Sequence, residues 1–286
     1  EYLNLVSSIV DRESTRSEAD LQSQISEFLR RGQFGLDQTA VKLESPAPDK
    51  KRIDIEIGQT VIEVKKDLRP TKIKAAAISQ LEDYVLKRAE YLESNYIGIL
   101  TDGVEWYCFR IDIKKKLELI AELKFERHIK VDEFATILKT WLGTVLATEE
   151  QVSPKSEVVE ERLGALSPSF AIDMATLRDL WTEAKSSQEV QLKRKLWGRL
   201  LSTALGSGFK DSTELFLAHT YLVTVANVIS HEVLGISTKG ISPEELVSGQ
   251  RFTDAGVIGA IEADFFSWVS INENGSNFIR DIIRRV

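Results

Sequence analysis

The sequence predicts an α/β (α+β) domain followed by an all-α helical domain. Three observations carry this. Residues 52–66 alternate as two short strands about Gly58-Gln59, and Asp102-Gly103 sits between two β-rich runs as a hairpin turn. Helical spacing fills the interval between them, from about Thr71 to Glu93. After a polar, acidic stretch at 148–161 that contains Pro154, the β-patterning largely stops. The 286 residues thus divide into a domain at 1–147, a linker at 148–161 and a helical domain at 162–286.

Along the chain, Thr15-Arg-Ser-Glu-Ala-Asp20 opens a helix. Thr15 to Glu18 has capping-box spacing, and Ser17 is another N-cap. Leu21, Ile25, Phe28 and Leu29 form its apolar stripe, and Glu18 lies near that face. A strand follows around Thr39 to Glu44, broken by Pro46 and Pro48. In the next strand, alternation puts Asp54 on one face and Ile53, Ile55 and Ile57 on the other. In the one after it, Glu63 and Lys65 share a face opposite Ile62 and Val64. Asp67 to Pro70 makes a turn. The helix beyond it has the stripe Ile73, Ala77, Leu81, Tyr84 and Val85, with Gln80 inside the stripe one turn before Tyr84. Leu117 to Phe125 reads as a strand and Val131 to Ala147 as an amphipathic helix.

In the second half, one helix starts near Met174, and another runs through Val190 to Leu205 and ends at Gly206-Ser-Gly208. Asp211-Ser-Thr-Glu214 starts a long helix to about Leu234, with Gly235 as its stop. Leu215, Leu222, Val225, Ile229 and Val233 give it helical spacing. Phe265, Phe266 and Trp268 form an aromatic cluster that suits a core or a contact with a partner.

Composition removes several classes. A single cysteine, Cys108, excludes an intrachain disulfide and fits a reducing cytoplasm. His128, His219 and His231 are scattered and give no zinc spacing. No signal peptide and no membrane-spanning apolar run is read. The net charge of −7 argues against a generally basic nucleic-acid binder. Between Lys50 and Lys74, however, eight Lys/Arg (Lys50, Lys51, Arg52, Lys65, Lys66, Arg69, Lys72, Lys74) meet four acids (Asp54, Glu56, Glu63, Asp67). A basic collar around an acidic site suits a phosphodiester, with Lys66, Arg69, Lys72 and Lys74 as candidate DNA contacts. A solvated Lys-rich loop has the same composition.

The chemistry accounts for the residue types. Two carboxylates on adjacent strands, Asp54 and Glu63, can hold Mg²⁺, which prefers oxygen ligands and keeps several waters. The ammonium of Lys65 can orient a water or stabilise a pentavalent phosphate. A Glu-x-Lys on a solvated strand edge would look the same in sequence, as would a first-turn Glu18 that merely favours the helix dipole. Gln80 and Tyr84 also fit a buried Gln satisfied by backbone and a core Tyr.

An Asp, then Glu-x-Lys on the next strand, then Gln-x-x-x-Tyr on the following helix resembles the PD-(D/E)xK nucleases, in their RecB-like form. The resemblance covers about 15–147 and implies a restriction-endonuclease-like core with a mixed sheet. It also implies Mg²⁺-dependent hydrolysis of DNA, with Mn²⁺ as a substitute. Asp54 and Glu63 would bind the metal, Glu18 would be a further candidate ligand, and Lys65 would act on the transition state or the water. Gln80 and Tyr84 would complete the catalytic set. The chain as a whole looks like the N-terminal part of a Type IIG or Type ISP restriction–modification enzyme, where a helical connector leads to an N6-adenine methyltransferase. "ELFLAHTYLVTVANVISHEVLG" and "ADFFSW" carry that second likeness, over about 170–286.

Ile53 replaces the proline of the motif. No Asn-Pro-Pro-Tyr-like tetrapeptide and no Gly-rich cofactor loop occurs, so the methyltransferase is expected downstream and this chain is expected to be a fragment or a truncated product. The rival expectations are a non-catalytic DNA-binding or assembly module with the same fold, and a repair or recombination nuclease.

Overall fold

The computed structural model describes residues 2–13, 15–32, 34, 41–46, 52–126, 128–146, 155–238, 240–257, 263–271 and 273–286. Lys50, Lys51, the start of the strand expected from Thr39, and residues 148–154 of the expected linker lie outside them. Contacts divide the chain into two compact units, Glu1–Ile172 and Asp173–Val286.

The first unit is a mixed α/β structure. Helices α1 (Tyr2–Val10) and α2 (Glu18–Arg31) lead into strands β1 (Val41–Pro46), β2 (Arg52–Ile57) and β3 (Thr60–Val64). Helix α3 (Thr71–Leu92) precedes β4 (Ile97–Thr101), β5 (Glu105–Ile111) and β6 (Leu117–Lys124), and α4 (Val131–Leu146) and α5 (Ser156–Leu163) follow. The strands form one six-stranded sheet in the order β1-β2-β3-β4-β5-β6. Neighbours are antiparallel except β3 and β4, which are parallel. A parallel pair cannot be closed by a tight turn, and α3 is the crossover that joins this one.

Each sheet face is covered. Ile55, Ile57, Ile62, Val64, Ile99, Trp106 and the fully buried Cys108 of β5 pack with Leu21, Ile25 and Phe28 of α2 and Leu138 of α4. On the other face Val61, Leu100, Tyr107 and Phe109 pack with Ala77, Leu81, Tyr84 and Val85 of α3. The Asp102-Gly103 turn joins β4 to β5 as expected. Gly103 has φ +88, and a Cβ there would run into the carbonyl oxygen of Ile9. Asp102 is fully buried and structural: its carboxylate accepts from the amides of Leu68, Val104 and Glu105.

Several expectations need correction. Helix α1 has no counterpart in the sequence reading. The N-cap of α2 is Ser17, not Thr15, and the capping box is completed by Asp20. β1 runs through Pro46, which an edge strand tolerates. Ile73 is exposed, at 45 %, because the buried stripe of α3 begins only at Ala77. Ile53 packs beneath α3 rather than beside Ile55 and Ile57. The β2–β3 register runs from Ile57–Thr60 to Ile55–Ile62, and beyond it the Val64 amide donates to Asp54 Oδ2 at 2.8 Å. A side chain replaces a ladder hydrogen bond there, and strict alternation ends at Asp54.

The second unit is helical: α6 (Pro168–Ala184), which straddles the division, then α7 (Gln188–Leu205), α8 (Thr213–Val233), α9 (Pro243–Ser248), α10 (Gln250–Asp254), α11 (Ala263–Phe266) and α12 (Glu273–Arg285). The division at 172/173 falls later than the expected linker, and α5 occupies part of that linker. Phe266 and Trp268 are core residues rather than a surface contact, stacked on Phe216 at 5.9 Å between ring centroids. The expected stripe of α8 is right only in part. Val225 is buried and Ile229 half-buried, but Leu215, Leu222 and Val233 are exposed, and the rest of the buried face is Phe216, Leu217, Thr220, Tyr221, Thr224, Asn227, Val228 and His231. Among the described residues no helix is long and apolar enough to cross a membrane.

Candidate active site

The site forms where β2 and β3 part. Asp54 comes from β2, Glu63 from β3, Lys65 from the residue after β3, and Glu18 from the first position of α2. The local fold explains each placement. Ile62 and Val64 commit their face of β3 to the α2 side of the core, which leaves Glu63 and Lys65 together on the other. The Ser17 cap begins α2 at Glu18, and the Lys65 amide is anchored to Thr101 O at 2.9 Å, in line with the parallel β3–β4 pairing.

Lys65 Nζ lies 2.6 Å from Glu63 Oε1 and 3.3 Å from Glu18 Oε1. The second oxygen of Glu18 accepts from the Lys66 amide at 3.2 Å. Glu63 is fully buried; its Oε1 meets the Lys65 ammonium, and its Oε2 has no hydrogen-bond partner. Burial and the neighbouring Asp54 push its carboxyl up to about 7, against the pull of Lys65. Burial also raises Asp54, although the Val64 amide and Lys65 oppose it. Burial works against the charge of Lys65, but the hydrogen bond and charge of Glu63, with Glu18 and Asp54, outweigh it and hold its pKa above the ordinary lysine value.

Four of the expected residues are therefore brought together. Gln80 and Tyr84 form a second, connected feature: Gln80 Nε2 donates to Tyr84 Oη at 3.0 Å, and Tyr84 Oη donates to Arg52 O at 2.9 Å. This ties α3 to the start of β2, two residues before Asp54. With Arg52, Asp83 and Lys87 these side chains line an open groove of about 800 Å³. The expected DNA contacts differ among themselves. Lys66 and Lys72 are exposed. Arg69 is paired with Asp67 at 2.7 Å, and Lys74 Nζ sits 3.7 Å from the centroid of the Tyr107 ring.

Sequence reasoning missed Gln22, whose side chain hydrogen-bonds to Asp54. Its signal was present: Gln22 is one turn after Glu18 on α2, so both project from the same helix face. Among the described residues no three His, Cys, Asp or Glu side chains are grouped so as to hold a metal ion by themselves. Comparison with family models, with curated proteins and with solved structures finds no match to this chain.

Proposed function

We propose that the first unit is a metal-dependent DNA endonuclease of the PD-(D/E)xK kind. The observation that carries this reading is Glu63: a fully buried acid with one oxygen paired only to the Lys65 ammonium and the other without a hydrogen-bond partner, placed beside Asp54. Buried polar atoms are almost always satisfied, so an exception at a cluster of charges is a functional candidate. The residues fit a hard divalent cation. Asp54 and Glu63 supply the two carboxylates with which Mg²⁺, or Mn²⁺, binds while keeping its waters. A cation held there supplies charge neutralisation at the scissile phosphate and activation of the attacking water. Lys65, with its pKa raised, stays an ammonium. It is suited to stabilising charge on the phosphate rather than to removing a proton. Gln80 and Tyr84 fix the approach to Asp54, and Lys66 and Lys72 are cations available to a backbone phosphate. In this reading the protein acts in the cytoplasm, and the helical unit connects the nuclease to a downstream methyltransferase.

The test is nicking of supercoiled DNA by the purified chain in Mg²⁺ or Mn²⁺, lost on chelation and lost in Asp54→Ala and Glu63→Ala. Equal cleavage by wild type and both variants would sink the assignment. One observation favours the rival, a non-catalytic DNA-binding or assembly module: the Lys65 ammonium already neutralises Glu63. That reading expects DNA binding without metal-dependent cleavage.

A further inference from the structure

Glu18 carries more than its sequence position suggested. It stands first in α2, where a carboxylate is favoured by the helix dipole whatever else it does. Its two oxygens nevertheless have separate tasks. Oε1 is 3.3 Å from Lys65 Nζ, and Oε2 accepts from the Lys66 backbone amide at 3.2 Å. Both contacts are to the segment just beyond β3, more than forty residues away in sequence. A carboxylate engaged at both oxygens has little left for a metal. Glu63 is the opposite case, fully buried, with Oε1 on the Lys65 ammonium alone and Oε2 without a hydrogen-bond partner.

Lys65 is shared between these two unlike acids. It is closer to Glu63, at 2.6 Å, where it serves as the counter-charge of a buried carboxylate. A cation arriving between Asp54 and Glu63 would replace that counter-charge and repel the ammonium. Glu18 is the acid that remains to receive it. Its side chain is 40 % exposed, so retaining its charge costs little desolvation.

We infer that Glu18 is the positioning residue of Lys65 and not a metal ligand. It clamps the Lys65–Lys66 backbone with one oxygen and holds the Lys65 ammonium beside the reacting phosphate with the other. This rests on the nuclease reading, and it names what keeps the lysine in place once Glu63 is taken by the cation.

The experiment uses Glu18→Gln and Glu18→Ala in the full chain, with Glu63→Gln as the reference. Calorimetry gives Mn²⁺ affinity, steady-state cleavage gives kcat and KM for DNA, and hydrogen exchange gives the protection of the Lys66 amide. The expected result for Glu18→Gln is a Mn²⁺ affinity within about threefold of wild type, with kcat down by about 10–100-fold at unchanged KM. Glu63→Gln should lose Mn²⁺ affinity by at least about tenfold. Glu18→Ala should lose about tenfold of the Lys66 amide protection, whereas Glu18→Gln, which keeps an acceptor oxygen, should lose less. A Mn²⁺ affinity loss in Glu18→Gln equal to that of Glu63→Gln would make Glu18 a ligand and overturn the inference. Unchanged Lys66 protection in Glu18→Ala would overturn it as well, even if the wild-type chain neither bound metal nor cleaved DNA. That last finding would count against the nuclease reading and leave the exchange result to decide the role of Glu18.

Discussion

Glu63 in the first unit and Asp173 in the second are two buried acids with nearly the same credentials. Each is fully buried, each has an oxygen without a hydrogen-bond partner, and burial raises each carboxyl to about 7. Each also faces one cation, Lys65 or Arg285. Their surroundings separate them. Asp173 meets a guanidinium from the last turn of α12 through one nitrogen, a planar, delocalised cation on a side chain that is itself buried. Nearby Asp281 is itself paired with Arg284. That cluster joins α6 to α12 and has the character of a structural ion pair. Glu63 meets a flexible ammonium that it shares with Glu18, and a second raised acid, Asp54, stands beside it. A perturbed pKa alone would nominate both sites. A second raised acid beside it and an adjustable cation shared with Glu18 nominate only Glu63.

The comparison breaks first on cleavage. Asp54→Ala and Glu63→Ala should reduce metal-dependent nicking by at least about 10³-fold with the fold retained, whereas Asp173→Asn should leave it within about twofold. Circular dichroism on each variant separates lost chemistry from lost structure. A comparable loss in Asp173→Asn would erase the distinction.

Stability should show the reverse preference. Arg285→Met strands Asp173 in the core and should cost about 3–5 kcal/mol in urea unfolding, the usual penalty for removing one partner of a buried pair. Lys65→Ala should cost less stability, since Lys65 is less buried than Arg285, with 17 % of its side chain exposed against 7 %. It should lower turnover by about 10²-fold with little change in metal affinity, because lysine is no ligand for Mg²⁺. Exposed Lys66 offers the control: equal effects of Lys65→Ala and Lys66→Ala on turnover would mean that a diffuse basic patch was at work.

The smallest effect lies in pH dependence. Both acids have folded pKa values above their unfolded ones, about 7 against 4.5 for Glu63 and 3.8 for Asp173. In that window the folded state holds protons that the unfolded state has released, so stability falls as pH rises toward 7. Glu63→Gln and Asp173→Asn should each flatten this slope, by on the order of 1 kcal/mol between pH 5 and 7. Saturating Mn²⁺ should abolish the Glu63 share by keeping it ionised, and leave the Asp173 share intact. Thermal melts at three pH values, with and without Mn²⁺, make the measurement.

Much of the sheet and the pairing of Glu63 with Lys65 were legible because strand alternation is a strict period with one buried solution on each face. The site was less legible wherever a side chain does the work of backbone. Asp54 accepts the Val64 amide, which ends the alternation and sends Ile53 to the opposite layer. Gln22 was overlooked because its partner Asp54 lies on a strand far along the chain, although its place one turn after Glu18 was readable. Helix α8 misled for another reason. It is apolar almost all round, so spacing could not choose its inner face. Thr220 and Thr224 look like surface residues but donate to the carbonyls of Phe216 and Thr220 at 2.9 and 2.8 Å. With their hydroxyls satisfied inside the helix they can be buried, and Leu215 and Leu222 are left outside.

The fully buried Cys108 in the middle of β5 makes the chain its own clock. It is the one thiol in the sequence, so a thiol reagent can report on a single place. That place lies under both the β4 and β6 pairings and within the core that α2 and α4 cover. Modification must wait for the sheet to open, and at reagent concentrations where its rate no longer rises it measures how often the first unit opens. The same slow reaction would also set the shelf life of the protein in an oxidising buffer, since each opening exposes the thiol to irreversible oxidation.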